Sequence, residues 1–216
     1  MYNLDMTALS EFARKNVDMS SLCEYARQFS GLDARKISLL HRMYEDVIPS
    51  LQRVTHNFYS RLQNIAKAHE YLEGHQIENL KQTHLAWVHE LFNTDFDVTY
   101  TRKMYMVGDI HVRVKLPVEF MGASIGIIQS ELVRLFGEMY VDDQEATLDA
   151  VQAINAATAF SLLVMQKSYH SFTLAAQLES FLLITGISQN LFDDMRKDYR
   201  TGLHEPLKRA PILGGD

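Results

Sequence analysis

The chain has 216 residues, of which 47% are hydrophobic and 22% charged, with only 10 glycines and 4 prolines. This composition is typical of a globular protein with its own core, and it excludes disordered, collagen-like and low-complexity classes. A formal net charge of −6 provides no global positive field for nucleic acid or anionic lipid. The single cysteine, Cys23, excludes an intrachain disulfide framework and a multi-cysteine metal site.

The N-terminal segment MYNLDMTALSEF is too polar for a secretory signal peptide, and no apolar run approaches the length of a membrane span. We therefore expect a soluble, cytoplasmic protein. Strand signals are weak, because Asn-Gly and Asp-Gly turns are absent and alternation of apolar and polar residues is not sustained. Helical spacing recurs almost everywhere, so the sequence predicts an all-α fold.

The first 30 residues carry apolar side chains at helical spacing and end at Gly31, which predicts a helical lead-in. Asp33 is a candidate N-cap for the following helix. Pro49 then predicts the start of a separate helix with its apolar stripe over 51–65. A short helical stretch, 69–72, is expected to end at Gly74, and another amphipathic helix is expected over 77–91.

The segment 98–110 is helical by spacing and precedes Pro117, which predicts the first residue of a long helix reaching about residue 140. Asp142 and Asp143 are candidate N-caps for a longer helix from 146 to about 170 or beyond. Both helices are apolar on more than one side, so each must be buried on several faces. One face would serve the core, and the other predicts a helix-to-helix dimer interface, with purely internal packing as the alternative.

Helical spacing continues over 177–192 and is expected to end in the charged run at 193–198, leaving 204–216 as a tail. The sequence thus predicts three regions. These are an N-terminal helical lead-in over 1–34, a central domain over 35–175, and a C-terminal helical linker and tail over 176–216.

The motifs of several enzyme classes are absent. The chain contains no GxGxxG, no P-loop, no GxSxG and no HExxH. None of the nine histidines follows a glutamate at i−3, so the Glu-x-x-His pair of di-iron bundles is missing. Cys23 lies on a polar amphipathic helix without an obvious partner, which argues against thiol catalysis. We therefore do not expect an enzyme.

Histidine is the one enriched reactive residue type. Most of the histidines lie among polar neighbours and are expected to be solvated: His41, His56, His69, His75, His170 and His204. His84 and His89 are five residues apart, which places them on different helix faces and makes them a poor pair for one metal. His111 ends an apolar helical stretch and is a candidate metal ligand, the alternative being a helix-end histidine that interacts with terminal carbonyls.

The order of these pieces resembles the haem domain of globin-coupled sensors. Phe58-Tyr59 lie on one helix, Trp87 lies on the next, and His111 is followed six residues later by the helix-starting Pro117. The similarity covers about residues 35–175. One departure is visible, because relatives often have Arg-Ile-Gly where this chain has Arg-Val-Lys at 113–115. Loss of that glycine should alter the turn after the histidine without removing the ligand.

The resemblance implies a globin-like helical sandwich that binds haem b. It implies that His111 is the proximal iron ligand and that Tyr59, beside Phe58, is the distal tyrosine. It also implies that Leu80 is the apolar residue over the iron and that Thr83 is a second hydrogen bonder. For Tyr59 the alternative is a half-buried tyrosine that is hydrogen-bonded to water.

The resemblance further implies a gas sensor, with oxygen as the first candidate and carbon monoxide and nitric oxide as others. A hydrogen bond from a tyrosine hydroxyl to a partly charged ligand contributes about 1.5–3 kcal/mol, which favours oxygen over carbon monoxide. The signal would pass through a homodimer of the helices 118–140 and 146–175, and then through 178–198. It would reach an output partner that is separate or is missing from a truncated sequence.

Three alternatives stay open at the level of sequence. The first is a haem-free globin-fold scaffold in stress signalling, against which His111 argues. The second is a haem-dependent globin that detoxifies nitric oxide or oxygen, which would need an electron-donor partner because no flavin or nicotinamide motif is present. The third is a plain helical bundle without a ligand.

Overall fold

The computed structural model describes residues 13–15, 17–72 and 77–204, and within them it contains no strand. Apart from a helical turn at 13–15, the helices are α1 (Met19–Ser30), α2 (Ala34–Gln63), α3 (Ala66–Leu72), α4 (Ile77–Asn93), α5 (Val98–Arg113), α6 (Val118–Met139), α7 (Gln144–Thr185) and α8 (Gln189–His204). The prediction of an all-α fold is confirmed. Gly74, His75 and the tail beyond residue 204 lie outside the described residues.

Carboxylates cap the helices where the sequence predicted caps. The Asp33 carboxylate accepts a hydrogen bond from the Lys36 amide at 2.9 Å, and Asp143 accepts one from the Ala146 amide at 2.9 Å. Each bond satisfies one of the free amide groups at a helix start. Pro117 immediately precedes α6 in extended conformation and is its N-cap rather than its first helical residue.

Pro49 does not begin a helix, so that prediction was wrong. It lies inside α2, which runs without interruption from Ala34 to Gln63. Proline lacks the amide that would bond to the carbonyl of Glu45, and an interior proline costs a helix about 3 kcal/mol. Buried side chains on both sides of it, Val47 and Leu51, hold the helix on the core. Tertiary packing therefore overrides the local signal.

The C-terminal helices also differ from the prediction. The structure breaks the predicted 177–192 pattern at Gly186, which has a left-handed φ of 69° and ends α7. A new helix, α8, then runs through the charged residues instead of ending at them. The rings of Phe181 and Phe192 lie 6.3 Å apart across this break. The break occurs at a glycine because only glycine adopts this conformation without strain.

The core forms around α7, which packs on α1, α2, α5 and α6, while α2 packs on α4. Buried residues of α1, such as Leu22 and Ala26, belong to the same hydrophobic core as those of the later helices. α7 also continues past the predicted boundary at residue 175. Ala13 and Ala175 form a separate small contact.

Among the described residues, α7 is the one helix whose length and composition would allow it to cross a membrane. Of its most apolar stretch, 56% is buried inside the fold. This burial is what a core helix surrounded by other helices requires, and its apolar character on several faces follows from that packing.

The corner between α4 and α5 has a strained backbone and is stabilised by hydrogen bonds from α1. Phe96 is fully buried and has a left-handed φ of 51°, a conformation that bulky residues rarely adopt. Its carbonyl accepts hydrogen bonds from Arg27 Nε at 3.1 Å and from Cys23 Sγ at 3.5 Å, both on α1. Arg27 also donates to the carbonyl of Asp95 at 2.6 Å. Helix α1 thus fixes the corner from which α5 begins.

Candidate functional site

Helices α4 and α5 are joined near their connecting corner and separate beyond it. Near the corner, Trp87 Nε1 donates to Tyr100 Oη at 3.2 Å, and Tyr100 Oη lies 2.8 Å from Ser161 Oγ of α7. Away from the corner, α4 packs on α2 and α5 packs on α7, and these two consecutive helices have no substantial packing contact with each other among the described residues. The first half of α4 and the end of α5 therefore bound the two sides of one region.

An aromatic cluster forms one side of this region. The rings of Phe58 and His84 stack with centroids 4.5 Å apart and planes 8° from parallel. The ring of Tyr59 meets His84 edge-on at 5.7 Å, and Trp87 lies 5.5 Å from His84 on its own helix. Phe58 and Tyr59 are both buried on α2. The packing of α2 on α4 thus brings the predicted distal pair against a histidine.

His84 is a neutral imidazole in this cluster. Both of its ring nitrogens are buried, and neither has a hydrogen-bond partner. Burial lowers the pKa of His84 to about 4, because removal from water disfavours the charged ring. Buried polar atoms nearly always find a partner, so two unsatisfied nitrogens on one ring call for a functional explanation.

Tyr59 carries a protonated hydroxyl. Burial raises the pKa of Tyr59 to about 12, because the phenolate would lose its hydration. The hydroxyl therefore stays a hydrogen-bond donor at neutral pH. This side of the region therefore carries the Tyr59 hydroxyl as one donor, and the neutral His84 ring adds one N–H donor and one lone pair.

His111 lies in the last turn of α5, as the sequence predicted for a helix end. Its Nδ1 is buried and makes no hydrogen bond, which does not support the alternative of a ring bonded to terminal carbonyls. Burial lowers the pKa of His111 below its ordinary value. The ring is therefore neutral at pH 7, and neutral imidazole is the form that binds metal.

The turn after His111 is a well-formed C-cap. The Leu116 amide donates to the His111 carbonyl at 3.0 Å and the Lys115 amide donates to the Val112 carbonyl at 2.9 Å, which together form a Schellman motif. Lys115 has a left-handed φ of 57°. It therefore occupies the conformation that the relatives' glycine would suit, and the departure seen in the sequence is accommodated with local strain. Tyr169 Oη of α7 donates to the Leu116 carbonyl at 2.9 Å, which ties this turn to the long helix.

Gly108 lets α5 approach α7 closely. A Cβ at this position would overlap Ser168 Oγ and would lie 2.6 Å from the Met165 carbonyl oxygen, closer than real Cβ atoms come. Gly108 is one turn before His111, so the end of α5 that carries His111 packs directly on α7.

Leu80 is half-buried and packs against the core, on the same side of α4 as His84 and Trp87. These three residues are spaced i, i+4 and i+7, which places them on one helix face. Thr83 is outside this face. It is exposed, and its hydroxyl donates to the Asn79 carbonyl of its own helix at 3.0 Å. The structure thus brings Phe58, Tyr59 and His84 together and leaves Thr83 in solvent.

No group of three or more histidine, cysteine, aspartate or glutamate side chains that could hold a metal ion is found in the described part of the chain. A metal held by protein ligands alone is therefore not indicated there. A cofactor that supplies most of its own ligands needs only one or two protein atoms, which is what His111 and its surroundings offer.

The family model named Protoglobin matches residues 19–173. The chain belongs to the protoglobin family. The match spans α1 and every helix that bounds the region described above. This protoglobin also shares its fold with the globin domain of the Geobacter sulfurreducens globin-coupled sensor, with a TM-score of 0.62 and 22% sequence identity over 68% of this chain and 96% of that one. No match to a curated protein was found.

His84 is the residue of this protoglobin's site that sequence reasoning missed. It was considered only as one of a pair with His89, and the pair was rejected. The signal that could have found it is its place on the apolar face of α4, between Leu80 and Trp87. Its burial could not be derived from α4 alone, because it depends on the docking of Phe58 and Tyr59 from α2.

Proposed function

We propose that this protoglobin is a haem-based gas sensor domain with oxygen as its main ligand. His111 would be the proximal ligand and Tyr59 the distal hydrogen-bond donor. The observation that carries the proposal is the partly buried, neutral imidazole of His111 at the end of α5, whose Nδ1 is buried and has no hydrogen-bond partner. We propose it as a cytoplasmic, non-catalytic domain.

The described residues fit haem b. The chain has one cysteine, so attachment through two thioether bonds is excluded and the cofactor would be held by the His111 bond and apolar contacts. Phe58 and Leu80 offer apolar surface on the distal side. When bound, haem supplies an iron coordination position that takes a diatomic gas.

Tyr59 would set the preference among gases. Its protonated hydroxyl can donate to a ligand that acquires negative charge, and such a bond contributes about 1.5–3 kcal/mol. Carbon monoxide acquires less charge than oxygen and would gain less. Thr83 is assigned no contact with the ligand, because its hydroxyl is used within α4.

The route of the signal would run from His111 to α7. Gly108 seats α5 on α7, and Tyr169 holds the turn after His111 through the Leu116 carbonyl. A ligand shifts a conformational equilibrium only if it binds two conformations differently, so movement of His111 must change this contact. Helix α8, after the break at Gly186, would carry the change to an output partner.

A homodimer through α6 and α7 would receive this change. Together with the end of α1 and the start of α2, these two helices line an open groove, to which Phe29, Lys36, Gln129 and Ala159 contribute. Gly122 and Gly126 of α6 also face open space within the single chain. Together these features support close approach of helices from a second copy.

Titration with haemin tests the cofactor. The wild-type protein should take up haemin in a one-to-one ratio and develop a Soret band. His111→Ala should lose most of this affinity and regain binding when imidazole is added, while the exposed control His170→Ala should bind like the wild type. A wild-type protein that stays colourless would contradict the proposal and would favour the haem-free scaffold.

Oxygen dissociation tests Tyr59. Tyr59→Phe removes the donor and keeps the ring, so the oxygen dissociation rate should rise about ten- to hundred-fold, while carbon monoxide dissociation changes little. Stopped-flow displacement measures both rates. Tyr44→Phe is the control, because Tyr44 is on the same helix but pairs with His89 at 3.2 Å. Equal rates in Tyr59→Phe and wild type would remove Tyr59 from the mechanism.

A further inference from the structure

Two polar contacts join the second half of α2 to α6. Asn57 Nδ2 donates to Glu131 Oε2 at 2.7 Å, and Arg53 Nη2 lies 2.6 Å from Glu138 Oε2. Arg53 and Glu138 are each about half exposed, and such a surface pair contributes little to stability. The Glu131 side chain is only 16% exposed, and a hydrogen bond to a charged carboxylate is roughly twice as strong as one between neutral groups. The Asn57–Glu131 bond is therefore the contact that fixes this half of α2 on α6.

This bond lies between the weakest point of α2 and the distal tyrosine. Pro49 interrupts the hydrogen bonds of α2, and helices bend most readily at such a residue. Asn57 is eight residues after this point and two residues before Tyr59. The buried apolar side chains of this half are held by contacts without a preferred direction, whereas a hydrogen bond is directional. The Asn57–Glu131 bond therefore restricts rotation of the half of α2 that carries Tyr59.

Tyr59 is packed too closely to move alone. Its ring lies 5.1 Å from that of Phe58 and 5.7 Å from that of His84, edge-on in both cases. A side chain in a close-packed interior has little room to turn unless its backbone moves with it. A displacement of the Tyr59 hydroxyl is therefore shared with the second half of α2.

We propose that Asn57 is a positioning residue for Tyr59. Its bond to Glu131 sets where the Tyr59 hydroxyl meets the gas, and it passes movement of that hydroxyl to α6. This inference rests on the proposed function, and it adds a route on the distal side to the route from His111 through α7. Coupling between two sites is reciprocal, so a change at α6, a helix of the proposed dimer, also changes the release of oxygen.

Oxygen dissociation from Asn57→Asp tests the positioning role. The change removes the donor and sets a second carboxylate against Glu131, so the hydrogen bond is replaced by repulsion. Oxygen should dissociate about two- to tenfold faster, which is the range for residues that modulate a site without touching its ligand. Carbon monoxide dissociation should change little, because it depends little on Tyr59.

A second substitution should reverse the effect. Adding Glu131→Gln to Asn57→Asp supplies an amide donor opposite the new carboxylate, so the pair is restored with its two groups exchanged. The double variant should release oxygen within about twofold of the wild-type rate. Gln52→Glu is the matched control, because it makes the same amide-to-carboxylate change at an exposed residue in the same half of α2. It should release oxygen like the wild type.

Hydrogen exchange measured by mass spectrometry provides a readout besides gas release. In haem-free protein, exchange over residues 53–63 should be faster in Asn57→Asp than in the wild type and should return to the wild-type rate in the double variant. In haem-loaded protein, oxygen should change exchange over α6 in the wild type and in Gln52→Glu. Asn57→Asp should lose this response, and the double variant should regain it.

Several results would overturn the proposal. Asn57→Asp could release oxygen at the wild-type rate, or its α6 could still respond to oxygen as in the wild type. An equal rise for oxygen and carbon monoxide would indicate a general loosening of the pocket, and a double variant without recovery would show that the hydrogen bond is not the cause. If Asn57→Asp does not fold, Asn57→Ala removes the donor without adding charge and should give a smaller rise for oxygen alone.

The outcomes separate this inference from the proposed function. If Tyr59→Phe releases oxygen faster and neither Asn57 variant does, the sensor proposal stands and the role of Asn57 is wrong. If Tyr59→Phe releases oxygen at the wild-type rate, or if the wild type takes up no haemin, both are wrong.

Discussion

Lys115 combines two roles at the end of the helix that carries His111. It supplies the amide for the C-cap, and it does so in a left-handed conformation that costs an L-residue roughly 1–2 kcal/mol. The side chain is exposed, so nothing in the packing requires lysine there. The strain lies three residues before α6 begins at Val118, in the short segment that must move if His111 moves.

Lys115→Gly should therefore stabilise the protein. Relief of strain, less the larger conformational entropy of glycine in the unfolded chain, leaves a gain of about 0.5–1 kcal/mol. Urea unfolding of the variant and the wild type measures this difference. Lys115→Ala keeps the Cβ and should show no such gain, and a glycine variant less stable than the alanine variant would contradict the argument.

Residue-level reasoning on the sequence was most successful where a side chain acts locally. Asp33 and Asp143 were identified as caps because a cap needs only its own helix start. His84 was missed because its role depends on a second helix. Thr83 was assigned to the site by resemblance, although its position on α4 is turned away from the face that carries Leu80 and His84.

Gly108 decides how two helices meet. Between α5 and α7 there is no room for a methyl group, since the nearest backbone oxygen would lie 2.6 Å from it. The close contact is therefore a property of the helix pair, and it places the His111 turn within reach of Tyr169.

Gly108→Ala should destabilise the protein by about 1–3 kcal/mol, because overpacking forces backbone shifts that the higher helix propensity of alanine does not offset. The matched control is Gly137→Ala on α6, where a Cβ meets nothing within 4 Å and the change should stabilise by about 0.5–1 kcal/mol. Thermal unfolding with both variants measures the contrast. Equal effects in the two variants would show that the α5–α7 contact is looser than described.

At the level of elements, the sequence predicted the presence of the helices more accurately than their ends. Most helices were located within a few residues from apolar spacing and capping residues. The join at Pro49 and the break at Gly186 were not predicted. In both places the outcome depends on which side chains find a partner elsewhere in the fold: buried Val47 and Leu51 outweigh a proline, and no comparable burial carries α7 past a glycine.

In the molecule as a whole, α7 is the helix on which most of the other helices pack. It contacts α1, α5 and α6, and it still presents a face to the outside. On that face Leu148 is exposed, and Gln152, Asn155 and Ala159 follow at helical spacing. The fold class and the helices that contribute to this surface could be predicted from the sequence, but the part of it left free could be seen only in the packed structure.

If this face forms the dimer, the protein should have twice the chain mass of 24.8 kDa by light scattering at micromolar concentration. Ala159→Arg places a charge in the centre of the face and should shift the protein to the monomer. Gln63→Arg, at the exposed end of α2, is the control and should remain dimeric. A wild-type monomer would remove this interface from the proposed signalling route.

The buried corner at Phe96 has a consequence for how the domain can be divided. Its hydrogen bonds come from Arg27 and Cys23, so α1 holds the corner between α4, which carries His84, and α5, which carries His111. A version trimmed to begin at residue 35 would keep every residue assigned to haem and lose these hydrogen bonds. Haem uptake would then be a poor test of whether the truncated protein is correctly folded. The missing segment sets the angle between α4 and α5 rather than the binding of haem.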